Sequence, residues 1–122
     1  MRVLLVDDDP DQLELRQMVL ARHGFESESA TGTHLAVEVA RRHAPDIAIV
    51  DLRLPREADG LALISQLKHE LPDVCIVVLT GSDPERLRHL PQMDCVARLI
   101  QKGTGSANLI TALNELAEQV AR

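Results

Sequence analysis

The sequence predicts an α/β fold: a doubly wound parallel sheet of five strands with five helices, in a single domain. Three observations predict it. The runs Val3-Leu4-Leu5-Val6, Ile47-Ala48-Ile49-Val50 and 74–79 are apolar on both faces, as strands buried between two layers of helices must be. Stretches with apolar residues at helical spacing separate those runs, and alternating strands and helices build a parallel sheet covered on both sides. A length of 122 residues suits one domain, which can bury a core without disulfide or metal staples.

The elements follow in order along the chain. Strand one covers about 2–6. Asp9 and Pro10 read as the N-cap and first position of a helix to about Arg22, with Leu15, Met18 and Val19 inward and Gly24 as its stop. Strand two, about 25–29, is short and polar, which suits a sheet edge. Thr31 and Gly32 precede a helix that carries Leu35, Ala36, Val39 and Ala40 on one face and ends before Pro45. Strand three runs to Val50, and 51–60 reads as a loop punctuated by Pro55 and Gly60. A helix over about 60–71 buries Leu61, Ile64, Leu67 and Leu71, and Pro72 ends it. Strand four is 74–79, and a helix over about 84–90 lies between Pro84 and Pro91. Strand five is about 96–100, interrupted only by Arg98. The last helix, about 105–121, presents Leu109, Ile110, Leu113, Leu116, Ala117 and Val120. No repeat, low-complexity tract or linker interrupts this order, so 1–122 reads as one domain without an output module.

Composition excludes several function classes. The net charge is −6, no basic stripe is present, and Phe25 is the only Phe, Tyr or Trp, all of which argue against a direct nucleic-acid surface. No apolar run approaches the ~20 residues of a membrane span. The chain enters its first strand at once, leaving no room for a signal peptide, and Cys75 and Cys95 read as free thiols; both point to the cytoplasm. His23, His34, His43, His69 and His89 are scattered at no metal-ligand spacing.

The chemistry-bearing residues stand at strand ends. Asp7 and Asp8 follow strand one, Asp51 follows strand three, Thr80 closes strand four and Lys102 closes strand five. Open parallel sheets bind ligands beyond the carboxyl ends of their strands. One cleft would therefore gather several carboxylates, a hydroxyl and an ammonium, a set suited to a divalent cation and a phosphoryl group. Closely spaced carboxylates repel unless a cation lies among them. Asp9 and Asp11 read differently, as cap and first-turn charge of the helix that follows.

In this arrangement the chain resembles the receiver domain of two-component response regulators. The resemblance covers the whole chain and rests on Val6-Asp7-Asp8, on Asp51 with Pro55 four residues on, on Leu79-Thr80-Gly81 and on Lys102. It implies a flavodoxin-like strand order of 2-1-3-4-5. It also implies that Asp51 is the nucleophile that takes a phosphoryl group from a phosphohistidine. Asp8 and Asp51, with a backbone carbonyl near Arg53, would coordinate Mg2+, and Asp7 would act through water. Lys102 and Thr80 would serve the phosphoryl oxygens, and Thr80 with Leu99 would form the switch. The implied partners are a sensor histidine kinase or histidine phosphotransfer protein upstream and an unknown protein downstream, with no nucleic acid or membrane contacted directly. Homodimerisation through helix four, strand five and helix five is compatible with it. Such a protein is not an enzyme with its own turnover substrate; it catalyses its own phosphorylation and slow dephosphorylation.

The chain departs from that family pattern in several places. Gly103 stands where a cis proline usually follows the lysine, and a trans bond is expected because a non-proline cis bond costs ~2.5–4 kcal/mol. Leu99 replaces the usual Tyr or Phe. The loop from Asp51 to Gly60 is one residue longer than usual, with Arg56, Glu57 and Asp59 exposed in it, and Asp94, Cys95 and Val96 replace small residues before strand five. Two other readings compete. One is a phosphorylation-independent docking module. The other is a Mg2+-dependent phosphatase of the haloacid-dehalogenase type, which needs an acid two residues after its nucleophile, where this chain has Arg53.

Overall fold

The computed structural model describes residues 1–103 and 106–120. Its elements are β1 (Arg2–Val6), α1 (Pro10–Arg22), β2 (Glu26–Ala30), α2 (Thr33–His43), β3 (Ile47–Asp51), α3 (Glu57–Glu70), β4 (Cys75–Thr80), α4 (Pro84–Leu87), β5 (Val96–Gln101) and α5 (Ser106–Val120), with a 3-10 turn at Pro91–Cys95. The five strands are all parallel and pair in the order β2-β1-β3-β4-β5. Doubly wound topology and strand order are thus as the sequence and the resemblance imply.

Alternation along the strands sends side chains into two cores. Val3, Leu5, Ile47, Ile49, Val77 and Leu79 meet α1 and α5 through Leu13, Leu20, Leu109, Ile110, Leu113 and Leu116. Leu4, Val6, Ala48, Val50, Ile76 and Val78 meet α2 and α3 on the other face, through Ala36, Val39, Ala40, Leu63, Ile64 and Leu67. Every residue of β3 is buried, which is why it reads as continuously apolar. Edge strand β2 pairs with β1 alone and alternates polar residues outward. At the opposite edge β5 is half-buried, and its register against β4 shifts at Ala97, between the Ile76–Val96 and Val77–Arg98 pairs.

Several helices differ from expectation. In α1 the inward residues are Leu13 and Leu20; Leu15 and Met18 are more than half exposed and Val19 is half-buried. Apolar residues lie around most of this helix, so the stripe at 15, 18 and 19 competed with the one at 13 and 20, which faces the sheet. In α2, Val37 is buried and Leu35 is exposed. Helix α3 begins at Glu57, within the expected loop, so Glu57 and Asp59 are half-buried helical residues and only Arg56 of the three is exposed. Its inward face is Gly60, Leu63, Ile64 and Leu67, with Leu61 and Leu71 half-buried. Gly60 does not punctuate a turn: a Cβ there would lie 1.9 Å from the Leu52 carbonyl oxygen, so glycine lets α3 press onto the loop leaving β3. Helix α4 is one turn instead of 84–90, and the 3-10 turn takes up the rest of the connection. In α5, Ala112 joins the buried face and Val120 is 41% exposed. The expected first position of that helix, 105, lies outside the described residues.

Candidate functional site

The chain leaves β1 toward β2 on one side and returns to β3 on the other, so the carboxyl ends of β1 and β3 flank the topological switch point. Backbone hydrogen bonds carry the sheet past its formal ends here. Asp7 N–H donates to the Ala30 carbonyl at 3.2 Å, Leu52 N–H to Leu79 at 3.1 Å, and Lys102 N–H to Thr80 at 2.7 Å. Asp7, Asp51 and Lys102 are thus placed by the strand ladders rather than by free loops.

The structure brings the expected residues together. Carboxylate oxygens of Asp7, Asp8 and Asp51 lie within 4.8 Å of one another. Asp7 and Asp51 are buried, and Asp8 is exposed. Lys102 Nζ lies 2.6 Å from Asp51 Oδ2 and 3.9 Å from Asp7 Oδ2. The backbone N–H of Arg53 donates to Asp51 Oδ1 at 3.3 Å, which sets that peptide against the carboxylate while the Arg53 side chain is exposed. Thr80 is buried, and its hydroxyl oxygen accepts from Ser82 N–H at 3.0 Å. Leu99 lies on β5 opposite Val78 and packs half-buried against the core shared by α2 and α3. Asp9 caps α1 by accepting from Asp11 N–H at 3.0 Å, as its reading as a cap required.

Two further interactions were not foreseen. Arg16 of α1 reaches Asp7, with Nη1 2.6 Å from Oδ2. The sequence signal for it is a charged residue on the inward stripe between Leu13 and Leu20. Arg86, beyond Thr80, pairs with Glu57 at the start of α3, bridging the loops that leave β4 and β3.

Electrostatics separate the two buried carboxylates. Burial pushes the Asp51 carboxyl above the ordinary carboxylate range, and the charge of Asp7 adds to this; Lys102 and the Arg53 N–H offset it only in part. Burial acts on Asp7 in the same direction, yet the Asp9 N–H, Arg16 and Lys102 together outweigh it and hold Asp7 below the ordinary range. Three hard oxygen donors in one cluster suit Mg2+, which binds through one or two carboxylates and keeps several waters. The peptide bond between Lys102 and Gly103 is trans, as expected; among the described residues the cis bond is Leu54–Pro55. Neither Cys75 nor Cys95 forms a disulfide. No helix among the described residues is long and apolar enough to cross a membrane.

The chain is similar to known proteins in sequence and in fold. The family model for the response regulator receiver domain matches residues 3–114. The probable transcriptional regulatory protein TcrX of Mycobacterium tuberculosis is 35% identical over 81 residues, 66% of this chain and 34% of TcrX. The transcriptional regulatory protein GlrR of Escherichia coli is 31% identical over 121 residues, 98% of this chain but 27% of GlrR. The chain therefore spans about a third or less of these relatives' length. The crystal structure of response regulator protein TrrA from Thermotoga maritima, in complex with Mg2+–BeF, superposes with a TM-score of 0.84 at 23% identity, covering 94% of this chain and 97% of that one.

Proposed function

Because this chain belongs to the response regulator receiver domain family, we propose that it accepts a phosphoryl group on Asp51 and alters its protein contacts when it does. The observation that carries the reading is the Asp51 carboxylate itself, 5% exposed, held by Lys102 at 2.6 Å and clustered with Asp7 and Asp8. A buried carboxylate charge is costly to hold, and formation of an acyl phosphate moves that charge onto phosphoryl oxygens that a cation can reach. In the proposed step an Asp51 oxygen attacks the phosphorus of a phosphohistidine. The O–P bond forms as the N–P bond breaks, and its electron pair leaves with the imidazole. Lys102 then serves a phosphoryl oxygen, and the Thr80 hydroxyl, bonded to Ser82 N–H in this state, turns toward another.

Asp8 and Asp51, with a carbonyl near Arg53, would hold Mg2+, which when bound offsets the charge on the transferring group. Asp7 would contact it through water, since both of its oxygens are already hydrogen-bonded. TrrA, which shares the fold, was crystallised with Mg2+–BeF, and this supports Mg2+ as the ion. A histidine kinase or phosphotransfer protein is the matching donor, and a protein is the matching downstream target. The protein turns over no separate substrate in this reading.

A phosphorylation-independent docking module is the second reading, favoured by the one-turn α4 and by Gly103 after Lys102. Intact-mass measurement after incubation with acetyl phosphate separates the two. One phosphoryl group should be added only with Mg2+ or Mn2+ present, and none to Asp51→Asn. An unchanged wild-type mass, or equal labelling of the variant, would overturn the phosphoacceptor reading.

A further inference from the structure

The inward stripe of α1 runs through Leu13 and Leu20, both buried, and between them on that stripe stands Arg16, with its side chain 16% exposed. A guanidinium so far removed from water needs a charged partner. The partner is Asp7, whose own side chain is 2% exposed. Arg16 Nη1 meets Asp7 Oδ2 at 2.6 Å, while Asp7 Oδ1 accepts the Asp9 N–H at 2.9 Å. Asp8 is exposed, and Asp51 is held by Lys102.

The charges in this cluster are revealing. Three carboxylates, Asp7, Asp8 and Asp51, face two cations, Lys102 and Arg16, so the free site has a single negative charge in excess. With Lys102 alone the excess would be two, a much stronger trap for a divalent cation. After phosphoryl transfer the single charge of Asp51 becomes a dianionic group. That group and two remaining carboxylates are then balanced in full by Mg2+, Lys102 and Arg16. The cluster as built therefore matches the phosphorylated, metal-bound state better than the free, metal-bound one.

We propose that Arg16 is a resident counter-cation of this site, a positioning residue that keeps Asp7 from direct metal coordination and lowers the Mg2+ affinity of the site. The proposal rests on the reading of Asp51 as the phosphoacceptor. The phosphoryl group and Mg2+ would favour each other by the same factor in both directions, because linkage between binding sites is reciprocal. Arg16 stands beside Asp7 in both states and repels the metal in both, so it sets the absolute Mg2+ affinity and leaves that factor nearly unchanged.

The test is the Mg2+ affinity of the unphosphorylated protein, measured by amide NMR titration with and without beryllofluoride. Arg16→Met should bind Mg2+ about tenfold more tightly than wild type, since a full positive charge near the metal is removed. Arg16→Gln, which can still hydrogen-bond but is neutral, should do the same. Arg16→Lys keeps the charge and should stay within about twofold of wild type. Beryllofluoride should raise Mg2+ affinity by a similar factor in wild type and in Arg16→Met, so that the variant stays the tighter binder with and without it. Equal or weaker Mg2+ binding by both neutral variants, or Arg16→Lys matching Arg16→Met, would overturn the proposal. Neither readout uses covalent labelling, so failure of Asp51 to be phosphorylated would sink the functional reading and leave this comparison intact.

Discussion

The Lys102 ammonium lies 2.6 Å from Asp51 Oδ2, although the residue behind it is Gly103 rather than a proline. What fixes the lysine is the sheet. Thr80 pairs with Gln101, and the next N–H, that of Lys102, donates to the Thr80 carbonyl at 2.7 Å. Only after this bond does the chain turn away, with Gly103 at φ 89°, a left-handed conformation that glycine adopts without a Cβ penalty. The lysine and the threonine are thus linked through one stretch of β4–β5 ladder, and Asp51 stands beside it on β3, paired with Leu79, whatever residue follows Lys102.

Asp7 and Asp51 should respond oppositely to removal of their charge. Asp51 has its carboxyl raised by burial and by Asp7, so its protonated form is favoured in the folded state. The stability that this contributes is present below the unfolded value, near 3.8, and is lost as pH rises through the folded one. Asp7 is lowered, so its contribution is present above 3.8 and is lost as pH falls through its folded value. At pH 7 Asp51→Asn should therefore stabilise the fold, since it removes the charge that burial penalises. Asp7→Asn, which strands the half-buried Arg16, should destabilise by about 2–3 kcal/mol. Urea unfolding at pH 7 and pH 3 reads both, with the differences shrinking at pH 3. Destabilisation by Asp51→Asn at pH 7 would contradict the assignment.

Gly60 should tolerate no side chain. The clash of its added Cβ is with the Leu52 carbonyl oxygen at 1.9 Å, and backbone cannot rotate aside as a flexible side chain can. Gly60→Ala should cost about 3 kcal/mol by overpacking. It should also perturb the amides of Leu52 and Arg53, because the strained loop is the one leaving Asp51. A loss below about 0.5 kcal/mol, the scale of ordinary surface substitutions, would show that α3 can slide away from the loop.

Strand positions and strand-end chemistry were legible because β1, β3 and β4 are buried on both faces, leaving an apolar run that ends abruptly in Asp7, Asp51 and Thr80. Helix faces were less legible. In α1 the apolar residues Leu13, Leu15, Met18, Val19 and Leu20 do not define one stripe, and the choice among them is made by the sheet underneath. Gly60 looked like a loop residue because glycine weakens helices; its role is a close approach that only the tertiary contact reveals. Arg16 was hidden for a related reason. Its significance depends on which face of α1 is inward and on a carboxylate nine positions earlier, neither of which a local pattern states. Helix α4 stops at Leu87, three residues short of the Pro91 boundary that the sequence offers, and 88–90 form a turn instead.

Leu99 should not flip when the site is loaded. It pairs with Val78 on β5 and packs half-buried beside the α2–α3 core, on the same face of the sheet as Thr80. In the receiver family an aromatic at this position turns inward as the threonine moves toward the phosphoryl group. Leucine buries less area than an aromatic ring and has no hydroxyl to hydrogen-bond differently in its two orientations, so the free-energy gap between them is small. The response to loading should then be carried elsewhere. The Thr80 hydroxyl holds Ser82 N–H at 3.0 Å, and Arg86 ties the same loop to Glu57 of α3. Movement of Thr80 toward a phosphoryl group would break the first contact and pull on the second. Methyl and amide NMR with beryllofluoride and Mg2+ should therefore show large shifts from Thr80 to Leu90 and at Glu57, with modest ones at the Leu99 methyls. A change of Leu99 rotamer, read from its methyl carbon shifts, would mean that leucine performs the aromatic's inward turn after all.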